Sequence, residues 1–146
     1  MSLKFSQGPY HVKNPEKYVG LGTPRYRSSW EFSVMKMCDE NPAIHQWASE
    51  SVKIPYRDPL TGKATVYVPD FLVVFVDNKN NRRAELWEIK PVNQTLQEHV
   101  GKNKYNQAQF IRNQVKWAAA RAWCQQNNVV FRIITERELF HTGKRK

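Results

Sequence analysis

The sequence predicts a single three-layer α/β domain, a mixed central sheet flanked by helices. Two stretches have helical periodicity, and several short β-branched and aromatic runs are bounded by turn residues. The length of 146 residues suits one core that needs no metal or disulfide staple.

The first 25 residues, with Gly8-Pro9, Asn14-Pro15, Gly20, Gly22 and Pro24, read as an irregular basic arm. Ser28-Ser29-Trp30-Glu31 opens a helix with Trp30, Val34 and Met37 or Cys38 on one face, and Asn41-Pro42 stops it. Glu50 to Tyr56 alternates through Val52, Ile54 and Tyr56 and predicts a strand. Asp58-Pro59-Leu60-Thr61-Gly62 is a turn that makes a hairpin with Thr65 to Val68. Phe71 to Val76 reads as a central strand buried on both faces, and Asp77 to Asn81 turns the chain into a strand over Arg83 to Lys90.

After Pro91 and a polar loop, a helix is predicted from about Asn103 to Gln126. Its apolar stripe is Ala108, Ile111, Val115, Ala118 and Ala122. Asn127-Asn128 ends it, Val129 to Ile134 is a further strand, and Thr135-Glu136-Arg137-Glu138 resembles the capping box of a short helix. The chain thus divides into an arm (1–25), a domain (26–140) and a basic tail (141–146).

The net charge is +10, but unevenly placed: +4 over residues 1–30, −2 over 31–70, +2 over 71–110 and +6 over 111–146. A basic surface attracts polyanions such as nucleic acid. Clustered carboxylates inside such a protein oppose phosphate unless a cation lies between them. The longest apolar run, Phe71 to Val76, is six residues, too short for a membrane span, and the N-terminus has no apolar leader pattern. Cys38 and Cys124 read as free buried thiols, which makes the cytosol the default compartment.

The chemistry centres on three residues. Glu88 and Lys90 stand two apart in a strand and project from one face with Ala84 and Leu86; Glu85, Trp87 and Ile89 take the other. Antiparallel pairing through the Asn-rich turn brings Asp70 beside Glu88. Adjacent carboxylates repel unless protonated or bridged by a cation, and oxygen ligands favour Mg²⁺ or Mn²⁺. Such a metal polarises a phosphate and activates water, while Lys90 orients that water or stabilises developing charge. Glu31 fits a capping box with Ser28.

Pro69-Asp70 followed by Glu88-Ile89-Lys90 matches the Pro-Asp…Glu-X-Lys signature of the PD-(D/E)XK, or restriction-endonuclease-like, nuclease superfamily, which the chain resembles in element order over about residues 26–134. Tyr26-Arg27-Ser28-Ser29-Trp30-Glu31, Trp47-Ala48-Ser49-Glu50, Ile54-Pro55-Tyr56, Val68-Pro69-Asp70-Phe71 and Trp87-Glu88-Ile89-Lys90-Pro91 look like head-completion nucleases of T-even-type tailed phages. The resemblance implies Asp70, Glu88 and the Ile89 carbonyl as metal ligands. It also implies Glu31 as an acid completing the metal shell, with Glu50 a weaker alternative on a nearby strand. It further implies an endonuclease acting on DNA at the filled capsid, with capsid or portal proteins as partners, in the host cytoplasm or virion. Junction-resolving endonucleases share the layout and are the nearest catalytic alternative, and TnsA-type transposase endonucleases are similar but larger. A non-catalytic DNA-gripping head protein is the other reading. Monomer and homodimer both stay open.

Arg27 and Ser28 at the first-helix cap, Arg83 at a hairpin turn, and Lys102, Lys104 and Arg112 along the loop and long helix are candidate DNA contacts through phosphate. For most charges on that helix, Lys116 and Arg121 included, a solvated face is the competing reading. The five tryptophans read as core aromatics rather than base-stacking platforms.

Overall fold

The structure is a computed structural model and describes residues 7–95 and 101–141. The expected residues Lys144, Arg145 and Lys146 of the tail lie outside the described residues.

The elements follow in the order β1 (Gly8–Pro9), β2 (Arg25–Tyr26), α1 (Ser29–Glu40), β3 (Ile44–Ser49), β4 (Ile54–Arg57), β5 (Ala64–Tyr67), β6 (Phe71–Val76), β7 (Arg82–Ile89), α2 (Lys104–Gln126), β8 (Val130–Ile134) and α3 (Glu136–His141). The central sheet has four strands in the order β3-β6-β7-β8. Its first two pairings are antiparallel and β7–β8 is parallel, with α2 as the crossover, so the sheet is mixed as predicted.

The alternation along β7 splits the core into two layers. Trp87 and Ile89 join Val34, Met35 and Cys38 of α1 with Trp47, Phe71 and Val73 on one face. Leu86 joins Trp117, Ala120 and Cys124 of α2 with Ile54 and Tyr67 on the other. The two thiols therefore lie in opposite cores, both buried and free. Trp47, Trp87 and Trp117 are core residues, as expected.

Three expectations need correction. The strand expected over Glu50 to Tyr56 is present only in its second half, as Ile54–Arg57 in a separate hairpin with β5, and Ile44–Ser49, which the sequence did not announce, forms an edge of the main sheet. The edge strand carries a register shift between Ile44 and Gln46 and buries Trp47 and Ala48 consecutively, which removes the period-two signal. Glu50 is therefore not on a strand; it sits in the left-handed region at φ 51. On α2 the buried face is Trp117, Ala120 and Cys124, not the predicted alanine stripe, and Ile111 is 44% exposed. An indole offers far more apolar area than several methyl groups, so it decides which face turns inward.

Residues 7–28 hold only the short β1–β2 pair as regular structure, yet they are bonded firmly to the domain. Asp39, fully buried near the end of α1, accepts from the Tyr10 hydroxyl at 2.7 Å, the Lys13 N–H at 2.8 Å and the Asn14 N–H at 3.0 Å. Residues 17–19 also bond the open edge of β3 at Trp47 in both directions. That covers a sheet edge which would otherwise present unpaired backbone groups.

Candidate active site

The site lies where β6 begins and β7 ends. Phe71 pairs with Trp87 in the antiparallel register, which places Asp70 opposite Glu88. An Asp70 carboxylate oxygen accepts the Ile89 N–H at 2.7 Å, so backbone pairing fixes the side chain. Glu88 is 7% exposed on the α2 face. One of its oxygens accepts the Tyr67 hydroxyl at 2.7 Å, and the other lies 3.4 Å from the Lys90 ammonium. Tyr67 ends β5, so the separate hairpin delivers a hydroxyl into the site.

The electrostatics follow from this crowding. Burial, then the Glu88 charge, raises Asp70 well above the usual carboxylate range; Glu31 adds to this, while the Ile89 N–H and Lys90 oppose it. Burial also raises Glu88, outweighing Lys90 and Tyr67. Tyr67 is pushed far up by burial and by Glu88, so its proton stays on oxygen and the hydroxyl remains a donor. The site is thus a pair of carboxylates whose joint ionisation is costly, beside one paired lysine.

Glu31 is held as a helix cap. Ser28 Oγ accepts the Glu31 N–H at 3.1 Å, and a Glu31 carboxylate oxygen accepts the Arg27 N–H at 2.9 Å. It still feels the site: burial raises its pKa against the Arg27 N–H, with Glu50 and Glu88 adding to the rise. Among the described residues no three His, Cys, Asp or Glu side chains converge on a point that one ion would occupy. Asp70 and Glu88 form the intimate pair, and Glu31 and Glu50 stand further out. Two buried carboxylates that resist ionising together are a donor set that a hard divalent cation would relieve, so the residues present fit Mg²⁺ or Mn²⁺.

The expected phosphate contacts are scattered. Arg27 pairs with Glu50 at 3.2 Å, on the Glu31 side of the site. Arg83 is tied to Asp77 at 2.9 Å, at the turn at the far end of β7. Arg112 is tied to Asp58 at 3.1 Å and pins the tip of the β4–β5 hairpin to α2. Lys102 and Lys104 are exposed at the start of α2, with no ion pair among the described residues.

Sequence reasoning missed Tyr67 and the proximity of Lys116. The Lys116 ammonium lies 5.7 Å from the centre of the Tyr67 ring and is half-buried. Nothing near Tyr67 in the sequence announces its role. Lys116, however, precedes Trp117, and placing the indole on the inner face turns Lys116 toward the sheet as well.

Comparison with known proteins agrees with this geometry. The family model of the TnsA-like endonuclease N-terminal domain matches residues 41–136. The head completion nuclease of Enterobacteria phage T4 is 31% identical over 141 residues, 88% of this chain and 90% of that protein. A mixed sheet that sets Asp70, Glu88 and Lys90 side by side, and matches of this extent, have one reading: the chain belongs to the TnsA-like endonucleases, nucleases of restriction-endonuclease-like fold.

Proposed function

We propose that the protein is a metal-dependent DNA endonuclease that hydrolyses phosphodiester bonds, and that it works at the phage head like the T4 protein it resembles. The observation that carries the chemistry is the juxtaposition of Asp70 and Glu88 on paired strands, with Lys90 on the outer oxygen of Glu88. Asp70, Glu88 and the Ile89 carbonyl would hold Mg²⁺ or Mn²⁺. Such an ion supplies Lewis acidity toward the phosphate and a more acidic water.

The chain's own residues do the rest. The Ile89 N–H and the Tyr67 hydroxyl each hold one carboxylate oxygen, so both acids keep a fixed orientation without reorganising during the reaction. Lys90, 3.4 Å from Glu88, holds a positive charge where an attacking water or a phosphate oxygen needs one. As the water oxygen bonds to phosphorus one P–O ester bond breaks, the water gives up a proton to solvent, the departing oxygen takes one from solvent, and the negative charge added in between falls beside that ammonium. Glu31 holds the first turn of α1 and adds negative charge to the cation side. Arg27, Ser28, Lys102 and Lys104 are the proposed backbone contacts, with the net charge of +10 drawing DNA in. Capsid or portal proteins are the proposed partners, and the host cytoplasm or the virion the proposed place of action. Among the described residues no helix is long and apolar enough to cross a membrane.

The test is plasmid cleavage by wild type and Asp70→Ala with Mg²⁺, Mn²⁺ or EDTA, beside calorimetric titration of Mn²⁺ into each protein. The expected result is cleavage and Mn²⁺ binding by wild type only. Well-folded wild-type protein that binds DNA but never cleaves it would move the reading to a DNA-gripping head protein. Preference for branched over linear substrates would identify a junction resolvase.

A further inference from the structure

Two lysines approach Glu88 from different layers of the fold. Lys90 reaches it along β7 and pairs with its outer oxygen at 3.4 Å. Lys116 comes from α2 and lies over the ring of Tyr67, whose hydroxyl holds the other oxygen. One turn earlier on α2, Arg112 is neutralised by Asp58. Lys116 is half-buried and makes no ion pair with a carboxylate among the described residues. The charges that bear on it most are Lys90, which opposes it, and Glu88, which favours it.

This is an unbalanced arrangement. Lys90 pairs with Glu88 while the ammonium of Lys116, partly withdrawn from water over the Tyr67 ring, has no carboxylate of its own among the described residues, so the α2 side of the site carries a net positive charge. Holding like charges together is unfavourable in the free protein and becomes favourable when an anion joins them. The two sides of the site then differ in kind: Asp70 with Glu88 suits a cation, and Lys90 with Lys116 suits an anionic oxygen. The Tyr67 ring supports the Lys116 stem and directs its ammonium.

We propose that Lys116 is a second catalytic lysine, binding a non-bridging oxygen of the scissile phosphodiester together with Lys90, with Tyr67 as its positioning residue. This rests on the nuclease reading above and adds to it a group from α2, which lies outside the Pro-Asp…Glu-X-Lys motif.

The test uses Lys116→Met, which keeps the stem over Tyr67 and removes the charge, and Lys116→Arg, which restores a charge. Binding of a fluorescein-labelled linear duplex is measured in EDTA across a salt series, and cleavage is followed in Mg²⁺. The Met variant is expected to melt like wild type and to bind duplex a few-fold more weakly. Its salt slope should be shallower by about 0.9, and its kcat about 100-fold lower. The Arg variant recovers the slope and part of the rate. A Met variant with wild-type kcat and slope overturns the proposal. So does an unchanged slope when the Met and Arg variants are equally slow, since Lys116 then only braces Tyr67. If wild type cleaves nothing with any metal, the nuclease reading falls, and the salt slope alone still decides whether Lys116 touches phosphate.

Discussion

Tyr67 donates its hydroxyl to Glu88 at 2.7 Å, a buried bond that ties the last residue of β5 to the end of β7 across 21 positions of sequence. Tyr67→Phe leaves a buried carboxylate oxygen without its donor. We expect a loss of about 1–3 kcal/mol in urea unfolding at neutral pH, and slower cleavage because Glu88 is free to turn. Unchanged stability would show that water replaces the hydroxyl.

Acid should stabilise this site when metal is absent. Burial and Glu88 raise Asp70 above its unfolded value of about 3.9. A carboxyl raised on folding contributes stability fully present below the unfolded pKa and lost as pH rises through the folded one. Asp70→Asn cannot ionise and still accepts the Ile89 N–H. It should therefore be more stable than wild type at pH 8 in EDTA, with the gap closing as pH falls through the raised folded value toward the unfolded one of about 4. Urea denaturation across that range checks this, and an Asn variant weaker than wild type at pH 8 contradicts it.

Glu31 joins two roles that substitution can separate. Glu31→Gln keeps an oxygen for the Arg27 N–H and removes the charge beside the site. Glu31→Ala loses both, at about 0.5–1.5 kcal/mol for the one lost hydrogen bond, while the Ser28 cap stays in place. If Glu31 acts only as a cap, the Gln variant cleaves like wild type; a catalytic role predicts a slow Gln variant with unchanged melting. We expect the second outcome.

Asp39 secures the segment before α1. Burial raises its pKa, but the Lys13 N–H, the Tyr10 hydroxyl and Asn14 outweigh burial and hold it below its ordinary value. Its contribution is therefore present above the unfolded pKa and lost only as pH falls through the lower folded one. Asp39→Ala orphans several buried donors and should cost about 3 kcal/mol or more in guanidinium unfolding at neutral pH. Retained stability would mean that the segment is held by its packing on Trp47 alone.

The core of the site was legible because it is local. Asp70 and Glu88 sit on one hairpin, so the turn and the period of a strand are enough to bring them together. Lys90 follows two residues later on the same face. Tyr67 was hidden because its approach depends on how a separate hairpin lies over α2, which no local pattern records. The β3 edge strand was hidden by its bulge and by burial of neighbouring residues, and the strand that is real over Ile54–Arg57 was begun too early, at Glu50. The face of α2 was misread because alanines recur at helical spacing on its exposed side, while Trp117, Ala120 and Cys124 carry the burial.

The turn joining β6 to β7 has a kinetic consequence. Asp77 accepts the N–H groups of Lys79 and Asn81 and holds Arg83, so this hairpin closes a short loop with its own bonds. Contacts so local form early in folding. At that stage Asp70 and Glu88 are still hydrated, and water screens their repulsion. The conflict reaches full strength only when β5 and α2 cover the pair. In the reverse direction, lifting α2 relieves it first. The reaction centre is therefore the region primed to open before the sheet comes apart, and in amide exchange Ile89 should lose protection ahead of the middle of β6.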